Sequence, residues 1–359
     1  MRCVILLRSV KSSTLGVDYD NQKIYFWRMK NISILIPETA VLEAIADPRY
    51  MFMAANEFLV SEGNKPLFNV QLVGLKKQVK LMDGLATIHP DRTVEEVKKT
   101  DLIVIPAISG DIKTALEKNK KYVPWIIEQH RKGAEVASLC IGAFLLASTG
   151  LLNGKKCSTH WLSANEFRRM FPEVDLVDGS IISEENGIYS SGGANSYWSL
   201  LLYILEKYTS REVAILASKF FAVDIDRDSQ NKFMMFKGQR NHNDQAIKKA
   251  QDYIENTIDE KITIGELADM VSIGRRSFER RFKLVTNNSV LEYIQRVKIE
   301  AAKRSFETSR KNVNEVMYDV GYTDTKAFRD LFKKITGLTP IEYRNKYNKI
   351  SLEPTEKLV

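Results

Sequence analysis

Residues 277–293 read SFERRFKLVTNNSVLEY, and residues 327–343 read AFRDLFKKITGLTPIEY. At this offset of 50, six of 17 positions are identical: two Phe, one Lys, one Thr, one Glu and one Tyr. Upstream, TIGELADMV (263–271) and NVNEVMYDV (312–320) align at offset 49, so a turn in the second copy is one residue longer. The phenylalanines stand at i and i+4, which puts both on one face of a helix. Each copy therefore reads as a short helix, a tight turn and a second helix with a buried Phe pair. Ser289 and Thr339 are suited to cap the helix that follows each copy. Between the copies, VLEYIQRVKIEAAKRSFE reads as one long helix that holds them apart.

Two such units can read two major-groove segments one duplex turn, about 34 Å, apart. In the first copy, turning Phe278 and Phe282 inward turns Arg276, Glu279, Arg280 and Lys283 outward. In the second, the outward set is Thr325, Lys326, Arg329 and Asp330. Arginine there can grip guanine O6 and N7, or a phosphate. The charge agrees. The 359-residue chain carries a net +8, and residues 245–350 alone hold 21 Lys/Arg against 15 Asp/Glu. A basic third points to a polyanion, most simply nucleic acid. A helical bundle with a solvated basic surface is the alternative.

The stretches ELADMVSIGRRSFERRFK, EYIQRVKIEAAK and EVMYDVGYTDTKAFRDLFKKITGLTPIEYR resemble the DNA-binding domain of AraC/XylS-family transcription regulators, over residues 247–345. The resemblance implies base reading from the first turns of both second helices. The DNA-contacting set is then Arg275, Arg276, Glu279, Arg280, Thr325, Lys326 and Arg329. Gly274, Asn287, Val290 and Asp330 depart from the family's habit. Asn287 tolerates the left-handed turn that the family builds with glycine.

The first two thirds read differently. NISILI, NVQLVG, DLIVIP and AEVASL are short apolar runs suited to buried parallel strands. Helical patterns at 40–59, 112–132, 141–152 and 193–207 alternate with them, the signature of a doubly wound α/β sheet. LLNGKK and YSSGGANS read as glycine-rich stops. No apolar run reaches the 18 residues of a membrane span. Three cysteines and four histidines make neither a disulfide framework nor a metal site, and Cys157-x-x-His160 has no second pair.

Within EVASLCIGAFLLASTG (135–150), Cys140 lies between a strand and a helix, with Ser138 and Gly142 as small neighbours. That is the backbone logic of a nucleophile elbow. A helix N-terminus aimed at the sulfur would lower its pKa. His160 could pair with it, and Glu43 could supply a carboxylate. A sensing pocket or a plain buried cysteine fits the same residues.

The order of strand, acid, DLIVIP, elbow and THW resembles the ThiJ/PfpI class of the glutamine-amidotransferase-like fold, over residues 31–215. Joined to an AraC-type domain, it resembles GlxA-like regulators. The resemblance would gather Cys140, His160 and Glu43 at the strand ends. Ala107 and Ile108 stand where that class places Gly-Gly for an oxyanion, and Trp198 and Ser199 stand where related regulators carry an acid. Catalysis is therefore not expected.

The expected architecture is a flavodoxin-like α/β domain followed by an all-α double helix-turn-helix domain. The expected divisions are an extension (1–28), the α/β domain (29–215), a linker (216–244), the DNA-binding domain (245–348) and a tail (349–359). The expected partners are double-stranded DNA, an unidentified small-molecule effector and a second copy of the chain, with RNA polymerase a further candidate. No cofactor, metal or membrane is expected, and the compartment is the cytoplasm. A cysteine-dependent hydrolase or amidase carrying a DNA anchor is the competing function.

Overall fold

Parallel strands buried on both faces must be apolar throughout, and the central strands obey this. In the computed structural model, β1 (Lys30–Leu35), β2 (Phe68–Gly74), β6 (Leu102–Ile105) and β7 (Glu135–Ser138) carry the four apolar runs named above. The structure describes residues 28–224, 230, 235–236, 238–240 and 242–348. Almost all of the expected extension, and the tail, lie outside the described residues. The chain divides into two compact units, Met1–Asp228 and Ser229–Val359.

The first unit holds a seven-stranded sheet in the order β10-β11-β7-β6-β1-β2-β5. Its remaining strands are β5 (Arg92–Thr93), β10 (Ile182–Glu185) and β11 (Ile188–Ser191); β10 alone runs antiparallel. Two small ribbons, β3 (Val79–Leu81) with β4 (Ala86–Ile88) and β8 (Lys156–Cys157) with β9 (Asp175–Leu176), stand apart. The chain leaves β1 toward β2 and returns to add β6 on the other side. The carboxyl ends of β1 and β6 thus flank a topological switch point, where open α/β sheets bind ligands.

Helices cover both faces: α1 (Glu43–Ser61), α2 (Ile112–Asn119), α3 (Tyr122–Arg131), α4 (Ala143–Ala147), α5 (Ala164–Met170), α6 (Tyr197–Tyr208) and α7 (Arg211–Phe220). The expected helix 112–132 is two helices. Pro124 has no N–H for the Lys120 carbonyl, and the buried Asn119 side chain turns to accept from the Glu38 N–H at 3.0 Å. The expected helix 141–152 is a 3-10 turn, Cys140–Gly142, followed by the five residues of α4. Ser148 and Thr149 hydroxyls donate to the Leu145 and Leu146 carbonyls, and Gly150 turns left-handed. α7 runs through the expected boundary at 215 and packs on α1 through Tyr50, Phe58, Phe220 and Phe221.

The second unit is entirely helical among its described residues: α8 (Gln245–Asn256), α9 (Ile264–Met270), α10 (Arg275–Thr286), α11 (Val290–Thr308), α12 (Val313–Asp319), α13 (Thr325–Thr336) and α14 (Pro340–Tyr347). α9–α10 and α12–α13 are the two predicted helix pairs. Each has its own core, one around Phe278 and Phe282, the other around Phe328 and Phe332. Residues expected to be linker join this unit: the Phe236 N–H donates to Glu300, and Gln239 bonds Gln251 and Asn288.

Candidate functional sites

The strand β7 ends at Ser138, and the chain turns sharply at Cys140, whose φ is +55°. A non-glycine residue held there costs of order 1–3 kcal/mol, so its surroundings must fix it. They do so by hydrogen bonds. The Cys140 N–H donates to Ser191 Oγ at 3.3 Å, and its carbonyl accepts from Thr159 Oγ1 at 3.1 Å. Gly142 is required by space: a Cβ there would lie 2.5 Å from the Pro106 carbonyl oxygen and 2.8 Å from that of Ile105. This is the expected elbow, pressed against the end of β6.

Its chemistry differs from the expectation. Cys140 is buried, and burial pushes its thiol up to about 12, against one opposing hydrogen bond from the Ile141 backbone. A five-residue helix behind a 3-10 turn does not overcome that desolvation. Cys157 is pushed up to about 12 by burial as well.

His160 Nδ1 accepts from the Leu162 N–H at 3.2 Å and so caps the next turn, with its ring tilted on Trp161. Burial lowers its pKa and favours the neutral ring. Among the described residues no hydrogen bond joins the His160 ring to the Cys140 sulfur. Their tie is the Thr159 hydroxyl on the Cys140 carbonyl.

Glu43 opens α1 and is exposed. One turn further along α1, Asp47 accepts from the Tyr197 hydroxyl at 2.6 Å. That phenol is pushed up first by burial, then by the Asp47 hydrogen bond, then by the negative charge of Asp47. Tyr197 and Cys140 belong to the same buried core. Sequence reasoning missed Ser191, Asp47 and Tyr197. The i, i+4 spacing of Glu43 and Asp47 was the available signal for Asp47. Ser191 lay in a stretch read as a loop.

Where β1 and β6 end, the two exits are zipped together. The Val41 N–H donates to the Ala107 carbonyl and the Ser109 N–H to the Thr39 carbonyl, both at 2.8 Å, around an Ala40–Ile108 bridge. Ala107 and Ile108 therefore serve as a backbone staple at the switch point.

In the helical unit, all six positions shared by the repeat have counterpart roles or surroundings. Phe278 and Phe282 are fully buried with rings 5.7 Å apart; Phe328 and Phe332 likewise at 5.8 Å. Thr286 and Thr336 each donate back to the carbonyl of the second Phe of their pair, at 2.7 and 2.8 Å. Ser289–Glu292 and Thr339–Glu342 are reciprocal capping boxes. Tyr293 and Tyr343 stand edge-on to Phe282 and Phe332, and Lys283 and Lys333 are exposed at the ends of α10 and α13. Asn287 does take the left-handed C-cap that Gly337 takes in the second copy.

The expected DNA-contacting side chains are mostly exposed. Arg275, Arg276, Arg280, Lys326 and Arg329 face outward; Glu279 and Thr325 are half-buried. Arg276, Arg280, Lys326 and Arg329 have no ion-pair partner among the described residues. Glu279 is engaged by Arg275 at 3.4 Å in an exposed i, i+4 pair. Arg281 turns the other way and grips Asp244, the N-cap of α8, with two hydrogen bonds of 2.8 and 2.9 Å. Among the described residues no helix is long and apolar enough to cross a membrane, and no three His, Cys, Asp or Glu side chains cluster as metal ligands.

A family model described as "DJ-1/PfpI family" matches residues 54–207, and one described as "Helix-turn-helix domain" matches residues 267–346. The HTH-type transcriptional regulator GbdR of Pseudomonas aeruginosa is 24% identical over 269 residues, covering 75% of this chain and 72% of its own length. The HTH-type transcriptional regulator GlxA of Rhizobium meliloti is 21% identical over 219 residues, covering 60% of this chain and 67% of its own. A solved AraC family transcriptional regulator from Pseudomonas putida is 15% identical with a TM-score of 0.45, over 54% of this chain and 99% of that one. The chain joins a domain matching the DJ-1/PfpI family to a C-terminal helix-turn-helix domain.

Proposed function

We propose that the chain is a sequence-specific DNA-binding transcription regulator whose α/β unit binds a small effector and pairs with a second copy. One observation carries the DNA-binding reading. Two helices of 12 residues, α10 and α13, are each pinned by a Phe pair and present unpaired cations at their exposed first turns. A solvated bundle has no need to build that arrangement twice, each time followed by a helix that opens on the same capping box. The relatives named GbdR and GlxA are HTH-type transcriptional regulators, which supports the same reading.

Arg276 and Arg280 read one groove segment, and Lys326 and Arg329 a second. The effector site is the elbow neighbourhood: Cys140 as a neutral thiol on its floor, Tyr197 and Asp47 beside it, and Glu43 and His160 at its margin. A neutral buried thiol without a hydrogen-bonded base is not an activated nucleophile, so the hydrolase reading has no support from this geometry. RNA polymerase and a cytoplasmic location belong to the same proposal.

The test uses the full chain and duplexes enriched by it from a random-sequence library. Sequence-selective binding should weaken steeply as salt rises, because bound phosphates release counterions. Equal affinity for enriched and random duplexes at every salt concentration would remove the reading.

A further inference from the structure

The two helix-turn-helix units meet at one buried ammonium. Lys298 stands midway along α11, and its Nζ donates to the Glu260 carbonyl at 2.9 Å and to the Val320 carbonyl at 3.0 Å. Glu260 lies in the loop entering α9, while Val320 closes α12. One cation therefore bridges the first unit to the second, with the Tyr322 ring 5.6 Å away.

The neighbouring residue shows how close the contact is. Gly321 has φ +71°, and a Cβ there would lie 2.4 Å from the Asp259 carbonyl oxygen and 2.7 Å from Lys298 Nζ. The matching turn of the first copy is also left-handed, with φ +54°, yet it carries Ser272. The conformation alone does not demand glycine. The second copy has it because the backbone of the first copy lies against it.

This contact has a purpose if the chain reads DNA. A helix of 19 residues is a rod of about 28 Å. It sets the distance between the units but leaves their rotation about the rod to side contacts. In B-form DNA each added base pair moves the next half-site by about 3.4 Å and turns it by about 34°. Resting on the DNA-binding reading above, we propose that Lys298, seated against Gly321, is the positioning group that sets the spacing at which the two units read one duplex.

The test compares the full chain with its Lys298→Met variant. The probe is the duplex the unmutated chain enriches from a random library, with its two protected segments mapped by footprinting. Derivatives carry one or two base pairs inserted between the segments, or one segment alone. The unmutated chain should lose about tenfold or more in affinity on the first insertion, the scale of a lost base contact. Lys298→Met should lose at most about threefold while binding the single-segment duplex as the parent does. Lys298→Arg should restore the full penalty.

An undiminished penalty in Lys298→Met overturns the proposal, as does equal loss on the one- and two-segment duplexes. If Lys298→Met does not fold, Gly321→Ala decides: a relaxed penalty supports the proposal and a full one overturns it. Protection of only one segment overturns this inference and leaves the DNA-binding reading standing. Enrichment of no duplex removes both.

Discussion

Tyr197 donates a 2.6 Å hydrogen bond to Asp47, joining the first turn of α6 to the first turns of α1 across 150 positions of sequence. The bond holds two helix starts at the sheet edge where the elbow lies. Tyr197→Phe should destabilise the chain by about 1–2 kcal/mol, the cost of leaving a part-buried acceptor without its donor. Asp47→Asn keeps an acceptor and should cost less. Thermal unfolding of the three proteins checks the order.

Gly142→Ala should be far more damaging than Gly154→Ala. The new Cβ meets two backbone carbonyls that cannot swing away. Overpacking of this kind costs about 1–3 kcal/mol. Gly154→Ala, whose Cβ would meet nothing within 4 Å, should pay only for its positive φ. A smaller loss in melting temperature at 142 than at 154 would contradict the elbow geometry.

Cys140 and Cys157 should resist alkylation. Burial pushes both thiols up to about 12, so at pH 8 each is protonated and shielded. Iodoacetamide treatment at pH 8, read by peptide mass spectrometry, should modify neither in the native chain and both in urea. The sign for stability follows: the folded state holds these protons above pH 9, where unfolded thiols release them, so stability falls as pH rises from 9 toward 12.

Arg280→Ala and Arg281→Ala should fail in opposite ways. Arg280 is exposed and unpaired among the described residues, and its loss should weaken specific DNA binding by about 1–3 kcal/mol with little change in melting temperature. Arg281 is held by Asp244 against α8, so its loss should lower the melting temperature first. Equal effects on binding and stability for both would dissolve the distinction.

Glu266, Glu292 and Glu342 are each held below 4.5, chiefly by the backbone N–H of Thr263, Ser289 and Thr339. A lowered folded pKa gives stability that is present above 4.5 and lost as pH falls through the folded value. The slope of melting temperature against pH below 4.5 should therefore flatten when all three are changed to Gln, which keeps an acceptor but cannot titrate.

The helical unit was legible because its information is local and stated twice. Phe spacing, caps and turn lengths each act within a few residues, so the repeat alone specified α9–α10 and α12–α13. The four apolar runs placed β1, β2, β6 and β7 for the same reason: a strand buried on both faces must be apolar. The strand β11 escaped because IYSS contains two polar residues. Its serines are buried only because Ser190 accepts from the Ser158 N–H and Ser191 from the Cys140 N–H.

Such partners are distant in sequence, so no local pattern announces them. The thiol pKa of Cys140, the Tyr197–Asp47 bond and the Lys298 junction are of this kind. Sequence by itself determined the residues that can form helices, strands, an elbow and two readers. The packed chain decided which polar atoms lie within 3 Å of each other and how much water they lost, because desolvation and hydrogen bonding depend on neighbours brought together only by folding.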